Sequence, residues 1–286
     1  MVTMDLKGGE VVKAMAGGLA ERVAKLKAKG VNPALAIVRV GEKPDDIYYQ
    51  QSAAKRCKAL GVAAEIFAYG GDISEDELVN EIINLNLDES IHGILILRPL
   101  PGHIDDSAVC GALDPSKDVD GVTDVSLAGV MKGDKRRFSP CTARAVVEIL
   151  DHYSIETVRK HAVVIGRSLV VGKPLSLMLT ARDATVTVCH TKTPDLKATS
   201  KRADIVIAAA GRGRMVNSDY IKEGAVVVDV GINTDENGKL CGDVDYTDIQ
   251  GTASAVTPVP GGVGAVTTAV LAAQVIEAAE RLGSRG

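Results

Sequence analysis

Short apolar runs alternate with segments of helical period along nearly the whole chain. "ALAIVRVG" (34–41), "AAEIFAYG" (63–70) and "GILILRPL" (93–100) are brief, largely aliphatic and closed by glycine or a proline turn, which predicts buried parallel strands. Residues 46–60 and 74–87 between them carry a helical period, and Ser74 with the acids after it reads as an N-cap and acidic first turn. This βαβαβ order predicts a parallel sheet covered on both faces. "DPSKDVDGVTD" (114–124), followed by "MKGDKRRFSPCT", concentrates turn formers and charge, and is where the chain is expected to leave a first domain. A second series follows. "HAVVIG" (161–166), "ATVTVCH" (184–190), "ADIVIAAAG" (203–211) and "GAVVVDVG" (224–231) predict strands, with "KPLSLMLTARD" as a helix after the first. A long apolar-faced helix from about Gly264 ends the pattern and is expected to return to the first domain. The predicted class is α/β in two domains, each a largely parallel sheet with flanking helices, the second a Rossmann-like dinucleotide-binding domain.

Composition narrows the partners. Hydrophobic residues at 46% and charged residues at 24% of 286 describe a globular chain, not a disordered one. A net charge of -4 gives no basic footprint for nucleic acid, and 3% aromatics without Trp give no stacking platform for single strands. Residues 1–30 lack the basic and apolar regions of a signal peptide, and no apolar run is expected to reach transmembrane length. Cys57, Cys110, Cys141, Cys189 and Cys241 form no CxxC pair, and the five histidines are dispersed, so neither a disulfide frame nor a metal site is expected. The reading is a reducing, cytoplasmic protein without metal or membrane partner.

Several segments carry candidate chemistry. "VVIGRSLVVGKP" sets Gly166 directly after a strand and Gly172 at a helix start, where backbone N–H groups can approach phosphate. The spacing is not GxGxxG, and an ordinary tight βα turn is the alternative. The next strand ends "CHTKTPD", with Thr191, Lys192 and Thr193 and no carboxylate before Asp195. NAD sites place Asp or Glu there for the ribose hydroxyl; hydroxyls, a lysine and the nearby Arg167 suit a 2′-phosphate instead. A polar strand-to-loop transition explains the same residues, and His190 alone reads as structural. "TPVPGGVGAVT" (257–267) combines rigid prolines with glycines that permit close approach to a ligand, or is simply the turn before the last helix. Asp118 and Asp120 in "PSKDVDG" are either solvated loop acids or ligand groups at the carboxyl ends of strands. "IYYQQSAAKRCKALGV" (47–62) opens a helix with two tyrosines, yet the position one turn beyond Tyr49, where a proton-transfer partner would sit, is Ala53.

Taken together, "YYQQSAAKRCKALGV", "GILILRPLPGHID", "PSKDVDG", "SPCTARAV", "VVIGRSLVVGKP", "ATVTVCHTKT", "VVDVGIN" and "TPVPGGVGAVT" resemble, in order and spacing, the methylenetetrahydrofolate dehydrogenase/methenyltetrahydrofolate cyclohydrolase family over nearly the whole chain. The resemblance implies a homodimer binding tetrahydrofolate derivatives in a cleft between two domains. Residues 1–139, with 266–286 returning to them, would form the folate-binding catalytic domain, and 140–265 the NADP-binding domain. Tyr49 matches the tyrosine over the reacting folate and Asp120 the aspartate that anchors the pterin ring. Pro260, Gly261, Gly262 and Val263 match the folate-pocket loop. Gly166, Arg167 and Ser168 match the dinucleotide loop, Thr191 a position near the 2′-phosphate, and Ile232 a nicotinamide-side contact.

Three departures from the family pattern stand out. The lysine four residues after the tyrosine is Ala53, the glutamine of "GILVQLPLP" is Leu97, and "GVGPMT" becomes "GVGAVT" with Ala265 and Val266. The implied activity is NADP-dependent oxidation of 5,10-methylenetetrahydrofolate in one-carbon metabolism, with hydrolysis to 10-formyltetrahydrofolate weakened. A fully bifunctional enzyme using another base is one alternative. Lys55 lies about 120° around the helix from Tyr49, though a helix rotated by one residue would pair it with Tyr48. A non-catalytic folate- or nucleotide-binding protein is the other alternative, against which the intact cofactor motifs argue.

Overall fold

The computed structural model describes residues 2–283. Along the chain the elements are β1 (Met4–Asp5), α1 (Gly8–Ala28), β2 (Ala34–Val40), α2 (Pro44–Ala59), β3 (Ala63–Tyr69), α3 (Glu75–Leu87) and β4 (Gly93–Ile96). Three helices follow, α4 (Asp106–Ala112), α5 (Asp124–Lys132) and α6 (Cys141–His152). Then come β5 (His161–Ile165), α7 (Gly172–Thr180), β6 (Thr185–Cys189), α8 (Leu196–Ser200), β7 (Ile205–Ala208) and β8 (Val226–Asp229). The last are β9 (Asn233–Thr234), β10 (Leu240–Cys241), β11 (Ala255–Val256) and α9 (Val263–Leu282). The chain divides into two compact units: Ala14–Cys141 with Thr268–Gly286, and Met1–Lys13 with Thr142–Thr267.

The unit built on Ala14–Cys141 holds a parallel sheet in the order β3-β2-β4. β2 is central and buried on both faces, as its apolar run, broken only by Arg39, requires. Val38, Ile94 and Ile96 pack with Leu78, Ile82 and Leu85 of α3 and Val109 of α4. Ser74 does cap α3: its hydroxyl accepts from Glu77 N–H, and the Glu77 carboxylate accepts from Ser74 N–H. β3 departs from the expected burial. As the edge strand it leaves Ile66 49% exposed. Of the turn-rich region expected to lead out of this unit, 114–124 stays with it and the exit falls in the following "MKGDKRRFSPCT". Ile94 N–H donates to Lys117 O, tying that loop along β4, and the division falls at Cys141–Thr142. α9 is apolar over most of its surface, as buried helices are. Contrary to expectation it is long and apolar enough to cross a membrane, but most of it is buried in the protein. Its Val275 packs where Gly93 has no side chain, beside Val119.

The second unit holds six parallel strands in the order β1-β11-β8-β7-β5-β6, plus the antiparallel pair β9/β10. Val163, Ile165, Val206, Ala208, Val227 and Val256 form the middle of its core. β5 has β6 on one side and β7 on the other, so the connections diverge between β5 and β7; open α/β sheets bind ligands at such a point. Residues 1–13 fall in this unit, not with 14–139 as expected, because β1 pairs with β11 through Met4↔Ala255 and Asp5↔Val256.

Candidate active site

α2 starts at Pro44, carries Asp45 and Asp46 in its first turn and ends with Arg56 and Lys58, each favourable for its end of the helix. Gln50, Ala53 and Cys57 form its buried face. Tyr49 is partly buried beside them, whereas Tyr48 is 66% exposed and Lys55 faces solvent. The one-residue rotation that would pair Tyr48 with Lys55 at a buried site is not adopted. Burial holds the Tyr49 phenol well above the usual tyrosine range, and the charges of Asp120, Cys141 and Cys57 push it the same way.

Asp120 follows a loop shaped by its neighbour. The fully buried Asp118 accepts from Val122 N–H at 3.0 Å, Thr123 N–H at 2.8 Å and the Thr123 hydroxyl at 2.7 Å. Gly121 sits at φ 68°, and a Cβ there would collide with the Ser139–Pro140 backbone. The pair read together from the sequence is thus divided: Asp118 builds the loop and Asp120 is left to face Tyr49. Burial pushes the Asp120 carboxyl up to about 7, reinforced by the Asp118 charge and opposed by the Arg98 guanidinium and a Cys141 hydrogen bond. Ala53 is fully buried and Leu97 is 5% exposed. This constellation can hold a polar heterocycle between a carboxyl and a phenol, and its cation beside Asp120 is an arginine, which does not give up its proton.

The dinucleotide residues lie in the other unit. A Cβ at Gly166 would collide with Ala209 O, and one at Gly172 with Gly166 O, so the loop after β5 closes tightly onto both the loop after β7 and the start of α7. Ser168 Oγ accepts from Val171 N–H at 3.1 Å, and Ser168 O accepts from Lys173 N–H at 3.0 Å. Arg167 and Ser168 are left exposed at the rim. Ile165 pairs with Cys189, so the loops after β5 and β6 emerge side by side, with Thr191 and Lys192 exposed. His190 organises that second loop, its Nδ1 accepting from Lys192 N–H at 3.1 Å. Asp195, the first carboxylate after the strand, caps α8 by accepting from Ala198 N–H. The rim therefore presents two cations and two hydroxyls without an acid among them, which fits a phosphorylated dinucleotide. Ile232 is 67% exposed. In the 260–263 loop Pro260 and Gly261 are exposed, while Gly262 and Val263 are buried.

Sequence reasoning missed two contributors. Gln274, fully buried on α9, donates to Val119 O at 2.7 Å and Ser139 O at 3.0 Å, tying the Asp120 loop to the segment before α6. Its signal was an amide inside "AVLAAQVIEAA". The signal for Arg98 was a charge interrupting the apolar run "GILILRPL".

Residues 6–120 match the catalytic domain, and residues 140–282 the NAD(P)-binding domain, of the tetrahydrofolate dehydrogenase/cyclohydrolase family. The bifunctional protein FolD of Clostridioides difficile (strain 630) is 45% identical over 273 residues, 96% of this chain and 95% of that protein. The bifunctional enzyme FolD of Campylobacter jejuni superposes with a TM-score of 0.95 at 39% identity, covering 98% of this chain and 99% of that one. The methylenetetrahydrofolate dehydrogenase-cyclohydrolase of Trypanosoma brucei, solved with NADP and an inhibitor, gives 0.93 at 34% identity over 98% of each chain. This chain belongs to the tetrahydrofolate dehydrogenase/cyclohydrolase family.

Proposed function

We propose that the protein is a homodimeric, NADP-dependent 5,10-methylenetetrahydrofolate dehydrogenase of one-carbon metabolism whose cyclohydrolase activity is much weakened. The observation that carries this reading is that buried apolar side chains stand both at Ala53, one turn along α2 from Tyr49, and at Leu97, next in the chain to the Arg98 that acts on Asp120. Oxidation removes a hydride from the bridging methylene and leaves a cation spread over the two flanking folate nitrogens. When bound, NADP⁺ supplies the hydride acceptor. The chain has to align the reacting carbon, and no proton moves there. Asp120 anchors the pterin ring, Tyr49 lies over the reacting folate, and the Pro260–Val263 loop lines the pocket. Gly166, Arg167, Ser168 and Thr191 hold the phosphates, and Ile232 contacts the nicotinamide side. The NADP of the Trypanosoma brucei structure supports this choice of cofactor.

Hydrolysis asks for more. Water loses a proton as it adds to the cation, and the ring nitrogen gains one as its C–N bond breaks. A positioned acid/base contributes about 10²–10⁴-fold to such a step. By resemblance the lysine serves there, and here that position has only a methyl group. Tyr49, held protonated, can donate a hydrogen bond but is no base near neutrality. Single-turnover decay of methenyltetrahydrofolate tests the reading. Wild type should barely exceed the uncatalysed rate, and Ala53→Lys/Leu97→Gln should gain about 10²-fold or more. Robust wild-type hydrolysis abolished by Lys55→Ala would sink the proposal.

One observation favours a second reading. A carboxyl titrating at about 7 is tuned for acid/base work at neutral pH, so Asp120 could itself replace the lysine. In that case wild type hydrolyses well and Asp120→Asn removes the activity.

A further inference from the structure

Two buried carboxylates in the six-stranded unit remain without a role, and they are built into one constellation. Asp243 is fully buried and Asp229 is 3% exposed, and among the described residues neither is paired with a cation. Backbone and amide N–H groups hold them instead. Asp243 Oδ2 accepts from Ala210 N–H at 2.6 Å and Gly211 N–H at 2.9 Å. Its Oδ1 accepts from Arg212 N–H and the Asn233 amide, both at 2.9 Å. Asp229 Oδ1 accepts from Gly231 and Asp243 N–H, and its Oδ2 from Val244 N–H, each at 2.9 Å. The glycines are matched to the acids. A Cβ at Gly231 would overlap the Asp243 carboxylate, and one at Gly242 would overlap that of Asp229.

The donors lie in the loop after β7 (Ala210, Gly211 and Arg212), in the segment from β8 into β9 (Gly231 and Asn233) and in the turn after β10 (Asp243 and Val244). The first of these abuts Gly166 through Ala209, at the point where the strand connections diverge. The second carries Ile232, and its two neighbours are the anchors: Gly231 binds Asp229 and Asn233 binds Asp243. Ile232 is 67% exposed between these two fixed points, so the clasp sets where its side chain stands. Taking two carboxylates out of water on N–H donors alone, without a cation, is still expensive, and apolar packing would serve a merely structural purpose better.

We infer that Asp229 and Asp243 are positioning residues that together set Ile232 and the Ala209–Arg212 loop against the nicotinamide half of the cofactor. This rests on the NADP reading above. The adenosine half has separate supports, the loops after β5 and β6, so the two halves should respond differently when the clasp is disturbed. Asp243→Asn leaves an amide N–H facing N–H donors. Asn233→Ala is the milder variant, removing one donor and no backbone contact.

The experiment measures binding of NADPH and of adenosine 2′,5′-bisphosphate, which lacks the nicotinamide half, to the full chain, with thermal melts alongside. Asp243→Asn should weaken NADPH about tenfold or more and Asn233→Ala about threefold, while the bisphosphate changes by less than about twofold in both. Equal losses for the two ligands, or unchanged NADPH binding, would overturn the assignment. Should Asp243→Asn fail to fold, the Asn233→Ala ratio decides. A wild-type protein that binds neither ligand would remove the NADP reading and this inference with it; binding of both with no differential loss would remove this inference alone.

Discussion

Asp120 sits where its protonation state matters. Its carboxyl is raised to about 7 by burial and by Asp118, against Arg98 and Cys141. The carboxylate is the form that accepts hydrogen bonds from a pterin, so kcat/KM for methylenetetrahydrofolate should rise with pH through about 7. Asp120→Asn should flatten that limb as it lowers the rate; a limb unchanged in the variant would assign the titration elsewhere. The same shift has a stability consequence. A carboxyl whose folded value exceeds its unfolded one binds more protons in the fold, so its contribution falls as pH rises from about 4 to about 7 and is flat above. The stability difference between Asp120→Asn and wild type should therefore grow across that window in urea titrations. The family resemblance singled out Tyr49 and Asp120, and the structure brings them within electrostatic reach of each other. Arg98, Gln274 and the Asp229–Asp243 pair were not legible, because each acts through neighbours supplied by distant parts of the chain.

Among elements, α3 and the loop after β5 offer the cleanest tests. Both donors of the Ser74–Glu77 box are solvent-exposed, so Ser74→Ala removes a cap without opening a cavity. It should cost about 1 kcal/mol, read as a lower urea midpoint at unchanged slope. Arg167 is exposed and forms no ion pair among the described residues, so its charge is free for a ligand. Arg167→Ala should raise the KM for NADP⁺ about tenfold or more and leave that for NAD⁺ nearly unchanged. Equal losses would mean that the side chain only shapes the loop. Element type was readable wherever an apolar run or helical period was long: β2, β4, β5, α2, α3, α7 and α9 lie close to where the pattern predicts. β1, β9, β10 and β11 span two residues each and carry no period at all. α1, α5 and α6 also escaped, the last two because turn-forming and charged residues around them masked their faces.

For the whole molecule, the homodimer proposal predicts light scattering at micromolar concentration near twice the 29.9 kDa of one chain; a mass of one chain would refute it. The division into two α/β units was visible in the two series of alternating patterns. Membership of residues 1–13 was not, since β1 is specified by a partner strand near the other end of the chain. That pairing has a consequence for synthesis. Ribosomes deliver the N-terminus first, and domains made that way usually fold as they emerge. Here the first strand made has no partner until Ala255 and Val256 have left the exit tunnel. The three-stranded unit, whose strands are made early, waits longer still for Gln274 and Val275 to reach Val119 and Gly93. Both cores wait until β11 and α9 have been made, so a nascent chain is exposed to chaperones and proteases until then. A premature stop before Thr268 would strand the unit that was translated first.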